Sequence, residues 1–155
     1  MRLYLDCCCY NRPFDELSQE RVRLESDAVL AIITRSLLNG DTILGSGTLG
    51  LEIAAIRNPE KRAKVADLCQ VVTERIAHSD SLELRAKQLQ LEGLHVMDSF
   101  HIASAEIGQA DIFLTVDDRL IKLCRKKQFA VRVMNPLEYM MNPLEYIEEV
   151  LEYEG

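Results

Sequence analysis

No stretch of this 155-residue sequence approaches the roughly 18 consecutive apolar residues that a membrane-spanning helix needs. The opening Met-Arg-Leu-Tyr-Leu-Asp carries an acid at position 6 and no long apolar run, so no signal peptide is expected and the default compartment is the cytoplasm. The five cysteines form no C-x-x-C, which leaves neither a zinc ribbon nor a thioredoxin-type site. Three of them are consecutive, Cys7, Cys8 and Cys9. On a strand such neighbours point to opposite faces, so three thiols on one ion are not expected, and buried reduced cysteine is. Lys and Arg are missing from residue 138 onward, where six acids fall: Glu138, Glu145, Glu148, Glu149, Glu152 and Glu154. The net charge is −7, and without that acidic tail residues 1–137 carry only −1. A broadly basic nucleic-acid coat protein is thereby excluded.

What is there describes one globular domain. Apolar residues at 48% and charged residues at 28% match an ordinary folded chain long enough to bury a core without a metal or disulfide staple. Residues 2–6 read as a short strand, followed by a loop containing Asn11-Arg12-Pro13-Phe14. Leu17, Val22, Leu24, Ala28, Val29, Ile32 and Ile33 keep helical spacing over 17–38, and Asn39-Gly40 supplies a left-handed end. Thr42–Leu44 predicts a second strand, with Ser46 capping a helix over 48–57 that Asn58-Pro59 stops. Helical stretches are predicted near 60–77, 81–92, 94–107 and 119–127, and strands over 110–116 and 129–133. Strands separated by helices imply an α/β fold with a parallel sheet covered on both faces.

Met134-Asn-Pro-Leu-Glu-Tyr-Met140 recurs as Met141-Asn-Pro-Leu-Glu-Tyr-Ile147. Each copy is a helix start, with Asn at the cap, Pro in the first turn and Glu three residues after the cap. Pro143 prevents both from lying in one straight helix. Residues 1–140 are expected to form the domain and 141–155 an acidic helical tail.

Ligands of an open parallel sheet bind beyond the carboxyl ends of its strands. Asp6 and Asp117 fall there, with Asp118 alongside, although turn and cap acids sit in such places too. Glu52 shares a helix face with Leu49, Ala55 and Ile56, and Asp98 with Ile102 and Ala105. A carboxylate on an apolar stripe costs free energy unless something positive pairs with it. Four carboxylates without a fixed Lys or Arg partner call for a cation, and oxygen-only ligation selects Mg²⁺ or Mn²⁺ over zinc. Such a site neutralises a phosphodiester and activates a water for in-line attack. Basic residues cluster at Arg57, Lys61, Arg62, Lys64 and at Arg119, Lys122, Arg125, Lys126, Lys127, either to hold a phosphate backbone or as solvated helix faces. His101 lies one turn beyond Asp98; a structural hydrogen bond at the helix surface is expected of it, and the chemistry requires no histidine.

Leu5-Asp6 with Asn11-Arg12-Pro13-Phe14, then Gly50-Leu-Glu52, then Val96-Met-Asp98-Ser-Phe-His-Ile-Ala-Ser-Ala105, then Leu114-Thr-Val-Asp117-Asp118-Arg-Leu together resemble a PIN domain over residues 2–139. The resemblance implies a metal-dependent ribonuclease, often the toxin of a toxin–antitoxin pair like the VapC proteins. It implies Asp6, Glu52, Asp98 and Asp117 as catalytic, metal-binding acids, with Asp118 assisting. Thr115 would orient a carboxylate or water, and Asn11, Arg12 and Arg119 would contact the RNA. Further implications are a homodimer and an antitoxin that reaches the acidic cleft, with Leu68, Val71, Val72, Leu82 and Leu89 as candidate contacts unless they are core. One departure is Cys8, where many PIN domains have Ser or Asn; a thiol is a weak hydrogen-bond partner for Asp6.

The rival from another class is a non-catalytic PIN-fold module that binds RNA or protein, favoured by Cys8 and the acidic tail. A small-molecule phosphohydrolase is weaker, because Asp6-Cys7-Cys8 lacks the second acid of a D-x-D nucleophile motif.

Overall fold

The computed structural model describes residues 1–141. Five strands form one sheet: β1 (Arg2–Leu5), β2 (Thr42–Ser46), β3 (Glu74–Ile76), β4 (Ile112–Leu114) and β5 (Arg132–Met134). Their order is β3-β2-β1-β4-β5, and every neighbouring pair is parallel. The helices are α1 (Cys7–Asn11), α2 (Glu20–Asn39), α3 (Gly47–Ala54), α4 (Pro59–Leu68), α5 (Asp80–Leu91), α6 (Val96–Ile107), α7 (Asp118–Lys127) and α8 (Pro136–Met141). The expected α/β class with a covered parallel sheet is the one observed.

Strand alternation divides the core into two layers. Leu3 and Leu5 of β1 join Ile43, Ile112 and Leu114 against Val29, Ile32 and Ile33 of α2. Tyr4, between them in sequence, points to the other side with Leu44, Phe113 and Val133, against Leu89 of α5, Ile102 of α6 and Leu120 of α7. This two-sided burial is why the central strands β1 and β4 are almost uniformly apolar. Leu82 and Leu89 lie in that core, and Leu68, Val71 and Val72 are partly buried against the first layer.

Most local signals act as read. Gly40 takes φ 73° at the end of α2, and Ser46 caps α3 by accepting the Leu49 N–H. The helix expected to run to residue 57 ends at Ala54, so Asn58-Pro59 does not stop it; the Asn58 side chain instead caps α4, with Pro59 in the first turn. Two further stretches differ from expectation. The helix expected over 60–77 ends at Leu68, and a 3₁₀ turn over Cys69–Val71 leads into β3. β3 is an edge strand with only Ile76 buried, too short for an alternation pattern, and it is held by pairing with β2. Gly45 permits that approach, because a Cβ there would come within 2.8 Å of Val72. The loop expected after β1 is instead the helical turn α1 followed by a 3₁₀ turn over Arg12–Phe14. The three adjacent cysteines therefore lie on a helix rather than a strand; Cys7 and Cys9 are buried, Cys8 is half-buried, and all are free thiols.

The first copy of the repeat forms α8, with Asn135 Oδ1 accepting Leu137 N–H at 2.8 Å. The rest of the second copy and the acidic tail lie outside the described residues. Among the described residues no helix is long and apolar enough to cross a membrane.

One ionic network ties the C-terminal end of the domain to the turn after α1. Glu25 is fully buried and receives Arg12 at 3.0 Å, Arg21 at 3.4 Å and the Asn135 amide at 2.5 Å. Arg12 keeps Asp15 and Arg21 keeps Asp118 when Glu25 is removed, so what is lost is a set of buried hydrogen bonds, and Glu25→Ala is expected to cost about 1–3 kcal/mol in denaturant unfolding. A loss under 1 kcal/mol would show that the network contributes little.

Candidate metal centre

Asp6 and Asp117 lie just past the carboxyl ends of β1 and β4, Glu52 comes from α3, which follows β2, and Asp98 from α6. Asp6 follows β1 and caps α1. Its Oδ1 accepts Cys7 N–H at 2.8 Å and its Oδ2 accepts the Thr115 hydroxyl at 2.9 Å. Thr115 Oγ1 in turn accepts Asp117 N–H at 3.2 Å, so one hydroxyl couples the ends of two strands. Cys8 does take part: its Sγ lies 3.5 Å from Asp6 Oδ2 and 3.3 Å from Thr115 Oγ1, and it accepts Val116 N–H at 3.4 Å.

Glu52, on α3, is half-buried and meets the ring of His101, from α6. His101 is fully buried, not at a helix surface as expected. Its Nδ1 lies 2.6 Å from the Tyr4 hydroxyl, while Nε2 contacts Glu52 and lies 3.7 Å from Asp6 Oδ1. One ligand atom each from Asp6, Glu52 and His101 lies within 4.8 Å of the others. Burial alone would lower the pKa of His101, but the hydrogen bond to Glu52 and the charges of Asp6, Glu52 and Asp98 outweigh it, and the net direction is upward. The sequence-based signal for this residue was its position, one turn from Asp98 on the same helix.

Asp98 lies in the first turn of α6. Burial, and then the negative charges of Asp6 and Asp117, raise its pKa to about 6, against the opposing effect of His101 and His95. Asp117 doubles as the cap of α7, with Oδ1 accepting the N–H groups of Arg119 and Leu120 at 3.0 and 3.2 Å. The cap function weighed for this residue is real, and it occupies one of the two carboxylate oxygens.

Other expected site residues have other occupations. Asp118 is exposed and forms a two-pronged pair with Arg21 at 2.6 and 2.8 Å, which lowers its pKa. Arg12 is committed to Glu25 and to Asp15 at 3.1 Å. Asn11 donates to Cys7 Sγ at 3.5 Å, and its Oδ1 is buried without a hydrogen-bond partner. Arg119 reaches to 4.0 Å from Asp98 Oδ2 and, among the described residues, is the only Lys or Arg that close to any of the four acids. Much of the basic clustering is paired: Lys61 with Asp15, Lys64 with Glu60, Arg125 with Glu138 and Lys127 with Glu92. Beside the acids, a mainly apolar groove of about 440 Å³ runs between α3 and α6, lined by Thr48, Leu51, Arg75, Val96, Met97 and Phe100 among others.

The donor set fits a divalent cation: buried Asp6 and half-buried Glu52 offer carboxylate oxygens beside the His101 ring, and Arg119 is the one Lys or Arg among the described residues that comes within 4.0 Å of Asp98. No protein-family model matches this sequence, and no curated protein is similar to it in sequence. The fold, however, is PIN-like. It matches a chain of VapBC2 from Rickettsia felis, solved bound to a DNA fragment from their promoter, with TM-score 0.59 and 15% identity over 87% of this chain and 98% of that one. It also matches a chain of FitAcB from Neisseria gonorrhoeae with TM-score 0.56 and 14% identity, over 86% and 97% of the two chains. At such identities the likeness is one of fold.

The raised Asp98 pKa has a sign that can be measured. Without a cation, the folded chain holds a proton on Asp98 that the unfolded chain releases above its ordinary 3.8, so stability falls as pH rises toward about 6. In EDTA, Asp98→Asn is expected to be more stable than the wild type above that range, by on the order of 2 kcal/mol, with the difference vanishing near pH 3. Equal stability of the two at pH 7.5 would contradict the repulsion.

Proposed function

We propose that this protein is a divalent-cation-dependent endoribonuclease, with Mg²⁺ or Mn²⁺ as its cofactor, acting as the toxin of a toxin–antitoxin pair. What supports the reading is that Asp6, Glu52 and His101 offer ligand atoms within 4.8 Å of one another, that Asp98 feels the charges of Asp6 and Asp117, and that among the described residues Arg119, at 4.0 Å from Asp98, is the one Lys or Arg so close to these acids. When bound, the cation neutralises the phosphodiester and lowers the pKa of the attacking water.

The chain's own residues then divide the work. Asp6 is the most firmly held acid, fixed on both oxygens by Cys7 N–H and Thr115, and it sets the centre of the site. Glu52 and Asp98 approach it from α3 and α6, and Asp117 contributes the carboxylate oxygen not used to cap α7. Arg119, exposed at the rim, is placed to meet the RNA backbone as it enters. Asp118, Arg12 and Asn11 act instead through structure, by the contacts described above.

A protein partner belongs to the same reading. Two of this chain's fold neighbours, VapBC2 and FitAcB, belong to toxin–antitoxin systems, and the apolar groove lined by Leu51 and Met97, next in sequence to Glu52 and Asp98, offers a partner segment a seat. Leu51 and Val96 are exposed at 69% and 57%, more than a groove with no occupant needs. A homodimer is part of the proposal as well.

The test is cleavage of a mixed RNA pool by purified protein with Mn²⁺, with EDTA, and with Asp98→Asn. Cleavage is expected with Mn²⁺ alone and is expected to be lost in EDTA and in the folded variant. Full activity in either would overturn the proposal. Mn²⁺ binding without cleavage of any RNA would favour the non-catalytic binding module, for which Cys8 beside Asp6 is the supporting feature.

A further inference from the structure

His101 is the one group in the cleft that the carboxylate chemistry leaves without a task, and both its nitrogens are placed. Nδ1 faces Tyr4 Oη at 2.6 Å, Tyr4 Oη faces Ser46 Oγ at 2.6 Å, and Ser46 Oγ accepts Leu49 N–H at 3.2 Å. The Tyr4 ring is fully buried and stacked on Phe113 at 5.2 Å, so the hydroxyl cannot swing away. Both hydroxyls in this chain can donate or accept. Nδ1–H can donate to Tyr4, whose own hydrogen passes to Ser46 Oγ, where a second lone pair still takes Leu49 N–H. Nε2 then faces the acids: in the empty site its N–H donates to Glu52, and it lies 3.7 Å from Asp6 Oδ1, so a cation entering there takes the place of that proton and receives the lone pair. An imidazole with one nitrogen tied to a buried partner and the other turned into a set of acids is the arrangement by which proteins orient a histidine toward a metal.

We infer that His101 Nε2 is a cation ligand in the same centre as Asp6 and Glu52, with Tyr4 as its positioning residue, and that the resulting nitrogen–oxygen site takes Mn²⁺ in preference to Mg²⁺. Imidazole suits transition-metal ions, whereas Mg²⁺ favours oxygen donors and retained water. A histidine committed to the centre therefore shifts selectivity in a way four carboxylates do not. The inference rests on the proposed cation site, and goes beyond it in adding a ligand and choosing the ion. His95, the other histidine whose charge is felt at Asp98, is exposed and precedes α6, and serves as the internal control.

The experiment is pulsed electron paramagnetic resonance on the full chain loaded with Mn²⁺, prepared with natural and with ¹⁵N-labelled histidine. Isothermal titration of Mn²⁺ and Mg²⁺ accompanies it. A histidine nitrogen coupling is expected in the wild type and in His95→Gln, and is expected to vanish in His101→Gln. Tyr4→Phe keeps the ring and removes the anchor, and is expected to weaken Mn²⁺ binding about tenfold while changing Mg²⁺ binding much less. Bound Mn²⁺ with no histidine coupling, or a coupling lost in His95→Gln instead, would overturn the inference and leave the carboxylate site standing. A wild-type chain that binds no Mn²⁺ would overturn both. Should His101→Gln fail to fold, the wild-type and His95→Gln spectra decide the matter, because no histidine but His101 then remains beside the acids.

Discussion

The parallel pairing of β1 with β4 is the constraint on which the site depends. It sets Leu5 against Leu114, and Asp6 N–H then bonds to Leu114 O at 2.9 Å. One residue further on, the Thr115 hydroxyl arrives at Asp6 Oδ2, and two residues beyond it Asp117 caps α7. A slip of one residue would turn Tyr4 into the wrong layer and carry Asp6 away from Thr115. The apolar layers on both faces, with Leu3 and Leu5 on one side and Tyr4 on the other, hold that register. Stability and site are therefore set by the same alternation.

Two kinds of buried acid coexist in this small domain, and the contrast between them separates structure from chemistry. Glu25 is fully enclosed but answered by two guanidinium groups and an amide, so its charge is spent on holding α2, the turn after α1 and the segment before α8 together. Asp6 and Glu52 are answered by a threonine, a thiol, a backbone N–H and one histidine, and Asp98 by Arg119 at 4.0 Å. Those partners orient the carboxylates and offset only part of their charge. Repulsion among the acids is the result, visible in the raised pKa of Asp98, and it is the property that draws in a cation.

His101 changes how that cluster is read. A buried imidazole contacting Glu52 partly stands in for the missing positive charge, and its link through Tyr4 to Ser46 ties the cleft to the central strand and to the cap of α3. The apolar groove begins on the same two helices, with Leu51 adjacent in sequence to Glu52 and Met97 to Asp98.

By itself the sequence determined the α/β class, the existence of most helices and strands and the four acids worth testing. Those follow from local rules: apolar runs buried on both faces, Gly40 in a left-handed cap, Ser46 before a helix, acids just past strand ends. It left undecided what each polar side chain would face. Asp118 and Asp117 are neighbours of the same chemical type, yet one pairs with Arg21 at the surface while the other caps a helix at the cleft. Arg12 reads as a phosphate contact and is a partner of Glu25, thirteen residues away, and His101 reads as a surface histidine and is buried against Tyr4, ninety-seven residues away. β3 exists because β2 offers it an edge. Each of these outcomes is a pairing between distant parts of the chain, and only the tertiary structure decided them, because periodicity tells which face of an element is buried but not which group waits on the other side.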